Sequence, residues 1–96
     1  MNPFKQVLEN HKSNLELYVP VVARVHGPTH PVFYDVQKGY DAMIVLVNED
    51  KYEDLNAVFE NLRAITDHYK IPSDTCETYE AVYNMLNELD QAYTQS

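Results

Sequence analysis

Over the first 25 residues, Phe4, Leu8, His11, Leu15, Tyr18, Val22 and Val25 recur at alternating steps of four and three. All but His11 are apolar. A strand brings every second residue to one face, whereas a helix brings third and fourth neighbours together, so this spacing predicts a helix buried along one stripe. Pro20 lies inside the pattern. It lacks an N–H and its ring crowds the carbonyl of Glu16, which predicts a kink between Glu16 and Pro20, or a short break, with the helix continuing to about His26. Gly27-Pro28 then ends it.

The same periodicity returns three times. Thr29 reads as the N-cap of a second helix with His30 and Pro31 in its first turn, and Phe33, Val36, Tyr40, Met43 and Val47 form its stripe. Gly39 weakens that helix, and the β-branched content of Ile44 to Val47 leaves a strand as the minor alternative, although no partner strand is visible elsewhere. After a turn at Asn48-Glu49-Asp50, the residues Leu55, Val58, Phe59, Leu62, Ile65 and Tyr69 predict a third helix from about Asp50 to Tyr69. Ile71-Pro72 interrupts, and Asp74-Thr75-Cys76-Glu77 has the form of a capping box that opens a fourth helix. Its inward residues are Cys76, Tyr79, Val82, Leu86, Leu89 and Tyr93. Short connections make consecutive helices neighbours, so the expected fold is all-α: an antiparallel up-down-up-down four-helix bundle, a single domain over residues 1–96.

Composition narrows the partners. With 96 residues the chain has little stability to spare, and oligomerisation would help it. A formal charge of −8 with only seven Lys and Arg argues against a nucleic-acid or anionic-membrane surface, which clustered cations would have to supply. The longest apolar run, Ala42 to Val47, is six residues, far short of the roughly 20 that a membrane span needs. One cysteine, Cys76, excludes an internal disulfide, and no basic-then-apolar leader opens the sequence, so a cytoplasmic location is expected.

Helical bundles hold metals and cofactors between facing helices, which directs attention to polar residues on the apolar stripes. His11 sits between Leu8 and Leu15 and reads first as a hydrogen-bonded seam residue. His26 and His30 are four apart, the spacing of a ligand pair on one helix, but Gly27-Pro28 stands between them; metal binding competes with turn-stabilising hydrogen bonds. His68 stands at the negative end of helix three. The carboxylates Glu49, Asp50, Glu53 and Asp54 are accounted for by the positive end of that helix, without the spacing of a calcium loop. Cys76, in the first turn of helix four and at the head of its stripe, reads as buried and inert. Tyr18, Tyr40, Tyr79, Tyr83 and Tyr93 are either core-edge packing or an exposed strip suited to a dimer. No phosphate-binding glycine loop, nucleophile elbow or H-E-x-x-H helix occurs, so no catalytic residue is assigned.

Two segments resemble a known family. Ala23-Arg24-Val25-His26-Gly27-Pro28-Thr29-His30-Pro31 is similar to the R-V-H-G-x-x-H-P segment of the iron-sulfur cluster repair di-iron proteins, the RIC family. Ile71-Pro72-Ser73-Asp74-Thr75-Cys76-Glu77-Thr78-Tyr79, with Val82-Tyr83-Asn84, resembles that family's P-P-x-x-A-C-x-T-W/Y-x-x-x-Y-N. The two segments are in the family's order, at the expected helix junctions.

The resemblance implies a hemerythrin-like four-helix domain whose two irons are held by histidines from all four helices and two bridging glutamates. Carried over residue by residue, only His26 falls on a retained ligand position. The first-helix ligand position falls at about Lys5, and the H-x-x-x-E pair that ends helix two falls near Asp50 and Asp54. No histidine lies between Tyr52 and Phe59, and the last H-x-x-x-E would begin at about Ser96, the final residue. Lys5 would repel a cation. The expectation is therefore a shortened, non-enzymatic relative with no cofactor in the monomer, acting by protein–protein interaction as a homodimer or beside a full-length family member. The alternative is an iron-binding protein of iron-sulfur repair or nitric-oxide and oxidative stress in bacteria, its site completed in an oligomer by His26 and His30 with His11 and nearby carboxylates.

Overall fold

The computed structural model describes residues 3–73 and 75–94, and everything regular in them is helical. Four α-helices follow one another: α1 Pro3–His26, α2 Val32–Asn48, α3 Leu55–Thr66 and α4 Glu77–Thr94, with a 3₁₀ turn, Tyr52–Asp54, leading into α3. The longest dimension, 38 Å, is close to the length of α1 alone, about 36 Å at 1.5 Å per residue. The most extensive packing is α1 against α4 and α2 against α3, with α1 also meeting α2. Ile44 to Val47 are helical, so the strand alternative is wrong.

The helix α1 runs unbroken through Pro20, and its buried stripe keeps Phe4, Leu8, Leu15 and Val22 of the predicted one but departs from it at Tyr18 and Val25. Phe4, Leu8, Leu15, Val19, Val22 and Ala23 are buried, Tyr18 is half-buried and Val25 is exposed. At about 100° per residue, Tyr18 and Val25 fall about 60° and 80° to one side of Leu15, while Val19 falls about 40° to the other. The packing centre lies on the Val19 side, and His26 comes close to it.

Other boundaries shift for local reasons. Thr29 does not cap α2: its Oγ1 donates back to the carbonyl of His26 (3.2 Å), and Pro31 occupies the N-cap position without a side-chain bond. The third helix is shorter than predicted at both ends. It begins after the 3₁₀ turn and stops at Thr66, because Asp67, His68 and Tyr69 all take left-handed backbone (φ 53°, 59° and 64°). The predicted Asp74 cap lies outside the described residues, whereas α4 itself starts at Glu77.

Both glycines are positions where an added Cβ would crowd a neighbour. A Cβ on Gly39 would stand 2.8 Å from Leu62 Cδ2, so glycine lets α2 and α3 approach at that level. A Cβ on Gly27 would come within 2.3 Å of both the Ala23 carbonyl oxygen and the Tyr34 ring. Gly27 therefore serves the corner by absence of bulk; neither glycine has a positive φ.

The core carries an aromatic cluster at each end. Phe4 meets Tyr52, Phe59 and Tyr93 edge-on, with centroids 5.8 to 6.4 Å apart. At the opposite end of α1, Phe33, Tyr79 and Tyr83 pack together, with centroids 4.8 to 6.2 Å apart. Tyr40, Tyr79 and Tyr83 are buried, and Tyr18 and Tyr93 are half-buried. Of the two readings of these tyrosines, packing in and at the edge of the core is the one observed, not an exposed strip.

Candidate functional site at the α1–α4 corner

The two segments singled out in the sequence meet at one corner. His26, the last residue of α1, reaches across to Cys76, the residue before α4, with Nε2 3.2 Å from Sγ. The chain between α1 and α2 is folded tightly back: the amides of Thr29 and His30 both donate to the His26 carbonyl (3.1 and 2.7 Å). This turn brings the His30 ring to 6.4 Å from the His26 ring, centre to centre. Tyr79, one turn into α4, presents its ring edge-on to both, at 5.5 and 5.7 Å.

Cys76 overturns its sequence reading. It is exposed rather than buried, and it precedes α4 rather than lying in its first turn. Its carbonyl accepts the first helical hydrogen bond, from the Glu80 amide (3.1 Å), which makes it the N-cap. An N-cap side chain projects from the helix end, which is why the heptad position of Cys76 misleads.

The remaining candidates lie elsewhere. His11 Nε2 pairs with Glu88 Oε2 at 2.6 Å, joining α1 to α4. His68 is exposed on the left-handed turn after α3, its amide donating to the Arg63 carbonyl (2.8 Å). Glu49, Asp50, Glu53 and Asp54 are all exposed, and Glu49 pairs with Lys51 at 3.2 Å. Lys5 lies over the Tyr52 ring, 5.2 Å from its centre.

These positions test the di-iron expectation through their chemistry. Two iron ions need several anionic and imidazole ligands converging on one point. Here His11, His26 and His68 stand apart, the Lys5 position carries a cation, and the aligned carboxylates face solvent without a histidine. Among the described residues, no three His, Cys, Asp or Glu side chains stand together in a way that could hold a metal ion. Among the described residues, the donors brought together do not match that requirement.

Sequence reasoning missed a buried polar cluster beside α4. Asp90, almost fully buried, accepts a hydrogen bond from the Tyr69 hydroxyl (2.7 Å) and pairs through the same oxygen with Arg63 Nε (3.2 Å). The Tyr69 amide donates to Thr66 Oγ1 (2.8 Å), whose hydroxyl donates to the Leu62 carbonyl (2.6 Å). Burial, and then the bond to Asp90, hold the Tyr69 phenol well above its usual range. An acidic residue beside apolar Leu89 on the inward arc of α4 was the available signal.

No family model matches the chain, and no solved structure matches it. Curated relatives do. It is 25% identical to the iron-sulfur cluster repair protein ScdA of Staphylococcus haemolyticus, over 92% of this chain and 54% of that protein. It is 23% identical to the protein of the same name in Staphylococcus epidermidis, with the same coverage. The chain thus spans about half the length of the curated relatives it matches, and across nearly all of its own length it is distantly similar to iron-sulfur cluster repair proteins.

Proposed function

We propose that this chain is a reduced, non-enzymatic relative of the iron-sulfur cluster repair proteins that acts by binding another protein: a second copy of itself or a full-length relative. The observation that carries the reading is the donor set. The position that resembles the first-helix ligand holds Lys5, whose ammonium lies over Tyr52, and the acidic positions Asp50 and Asp54 are exposed. The match to the relatives runs over 121 aligned positions, more than the 96 residues of this chain, which supports a shortened form. Among the described residues, the large apolar side chains left exposed are Leu17, Val25, Tyr34 and Val45, all on α1 and α2, and in this reading the partner covers them.

In this reading residues 1–96 form one hemerythrin-like up-down-up-down bundle, with α1 bent at Pro20, in the cytoplasm of a bacterium under stress. The contacts Phe4–Tyr93, His11–Glu88 and His26–Cys76 support opposite directions for α1 and α4. Metal analysis of the purified protein, together with its mass in solution and co-purification with a full-length relative, tests the proposal. A dimer or a captured relative without stoichiometric iron is expected; two tightly held irons per chain would overturn it.

The second reading is a metal site completed between copies, with His26 and His30 as ligands, joined by His11 and nearby carboxylates. It is favoured by the half-buried His26 and His30 rings, 6.4 Å apart at one corner. Loss of bound metal in His26→Ala, without loss of the dimer, would establish it.

A further inference from the structure

We infer that the groove between α2 and α3 is the face on which a second copy of this chain docks, Asp35 of each copy meeting Lys38 of the other. The inference rests on the proposed partner contact and gives it a place on the molecule. Asp35, Lys38, Gly39 and Ala42 follow one another at steps of three, one and three along α2, so one side of that helix carries them all. Val58 and Ile65 of α3 form the facing wall of an open groove of about 550 Å³.

The walls leave apolar surface for a partner to cover. Gly39 brings α2 and α3 together beneath the groove, since a Cβ there would stand 2.8 Å from Leu62 Cδ2, and the exposed Ala42 adds only a methyl group above it. Val58 and Ile65 are half-buried. Tyr34 and Val45, 43% and 52% exposed, lie about 20° from each other around α2 and border this face, which extends its apolar area.

Charge selects the occupant. The chain has a formal charge of −8, so two copies repel wherever both present acidic surface. Among the described residues that line the groove, only Asp35 and Lys38 are charged, and they cancel. Both are exposed, and neither forms an ion pair with another described residue. They stand about 4.5 Å apart along the axis of α2, at 1.5 Å per residue. A twofold axis passing between them sets Asp35 of each copy opposite Lys38 of the other, making two ion pairs as the apolar walls close. A partner edge of one sign leaves one of the two charges unmatched, whereas a second copy matches both.

The test is the mass of the purified full chain in solution, followed by light scattering through a dilution series at low ionic strength. Wild type is expected to dimerise. Asp35→Lys and Lys38→Asp should each raise the dimer dissociation constant about tenfold or more, because like charges then face each other at both contacts. Asp35→Lys also makes the chain less acidic, so a general charge effect would tighten its dimer instead. An equimolar mixture of the two variants should recover the dimer, since every contact between them again joins opposite charges. A monomeric wild type, variants that dimerise as wild type does, or a mixture no tighter than its components overturns the proposal. If either variant loses its helical circular dichroism, Ala42→Glu on the same wall decides: a weakened dimer supports the proposal and an undiminished one overturns it. A dimer indifferent to these variants removes this face and keeps the partner reading, whereas a monomeric wild type that captures no full-length relative removes both.

Discussion

Tyr69, on the left-handed turn after α3, donates a 2.7 Å hydrogen bond to the buried carboxylate of Asp90 on α4. Left-handed backbone costs a non-glycine residue about 1–2 kcal/mol, and Asp67, His68 and Tyr69 adopt it in succession. The Arg63–Asp90–Tyr69 contacts offset that cost and fix where the chain leaves α3. Replacing Asp90 with Ala removes the acceptor and strands both partners, so a loss of about 3–5 kcal/mol is expected in urea unfolding. Tyr69→Phe, which leaves the Arg63 pair in place, should lose about 1–3 kcal/mol. A Tyr69→Phe effect as large as Asp90→Ala would contradict this division.

Buried phenols make the fold sensitive to alkali. Burial first, then the charges of Glu16 and Asp41, push Tyr40 up to about 12 from 10.0, and burial followed by hydrogen bonds holds Tyr69 and Tyr83 above the usual range. The native state keeps these protons where the unfolded chain releases them, so the stability they contribute is complete below pH 10 and declines above it. Each proton contributes a slope of about 1.4 kcal/mol per pH unit in that window. Melting temperatures from pH 8 to 11 should be flat and then fall steeply, with phenolate absorbance rising at the unfolding transition.

Tyr40 is 3% exposed, and its hydroxyl has no hydrogen-bond partner among the described residues. An unsatisfied buried hydroxyl costs stability, so Tyr40→Phe is expected to be neutral or to stabilise by up to about 1 kcal/mol. Chemical denaturation of the variant checks this. A loss above that size would show that the hydroxyl is satisfied in solution.

At Gly27 an added methyl group would meet the Ala23 carbonyl and the Tyr34 ring. Gly27→Ala should therefore destabilise by about 1–3 kcal/mol, despite the better helix propensity of alanine. Urea unfolding of the variant checks this.

Helix content was legible wherever a stripe was long and strictly periodic, as in α1, α2 and α4. The ends were not. Thr29 has the residue type of an N-cap, but its hydroxyl turns back to His26; left-handed Asp67 to Tyr69 ends α3 although none of the three is glycine. Tertiary packing decided which arc of α1 faced inward, and no local pattern distinguishes Val19 from Tyr18. The Ala23 to Pro31 segment carries the family resemblance, yet Cys76, which His26 meets across the fold, reads as a core residue because spacing takes no account of how an N-cap projects. The Asp90 cluster is absent from any motif and arises only when α3, its exit turn and α4 come together.

The ring contact of Phe4 with Tyr93, and the bond from the Tyr93 hydroxyl to the Tyr52 carbonyl (2.7 Å), also constrain the order of assembly. The most extensive helix packing joins the first helix to the last, across nearly the whole sequence. Closing so large a loop costs entropy before any of its contacts form, which raises the contact order above that of a bundle paired only between neighbours. While the chain emerges from the ribosome, the apolar stripe of α1 must wait, facing water, until α4 has been synthesised. That interval is when the chain is most open to capture by a chaperone or by a second copy.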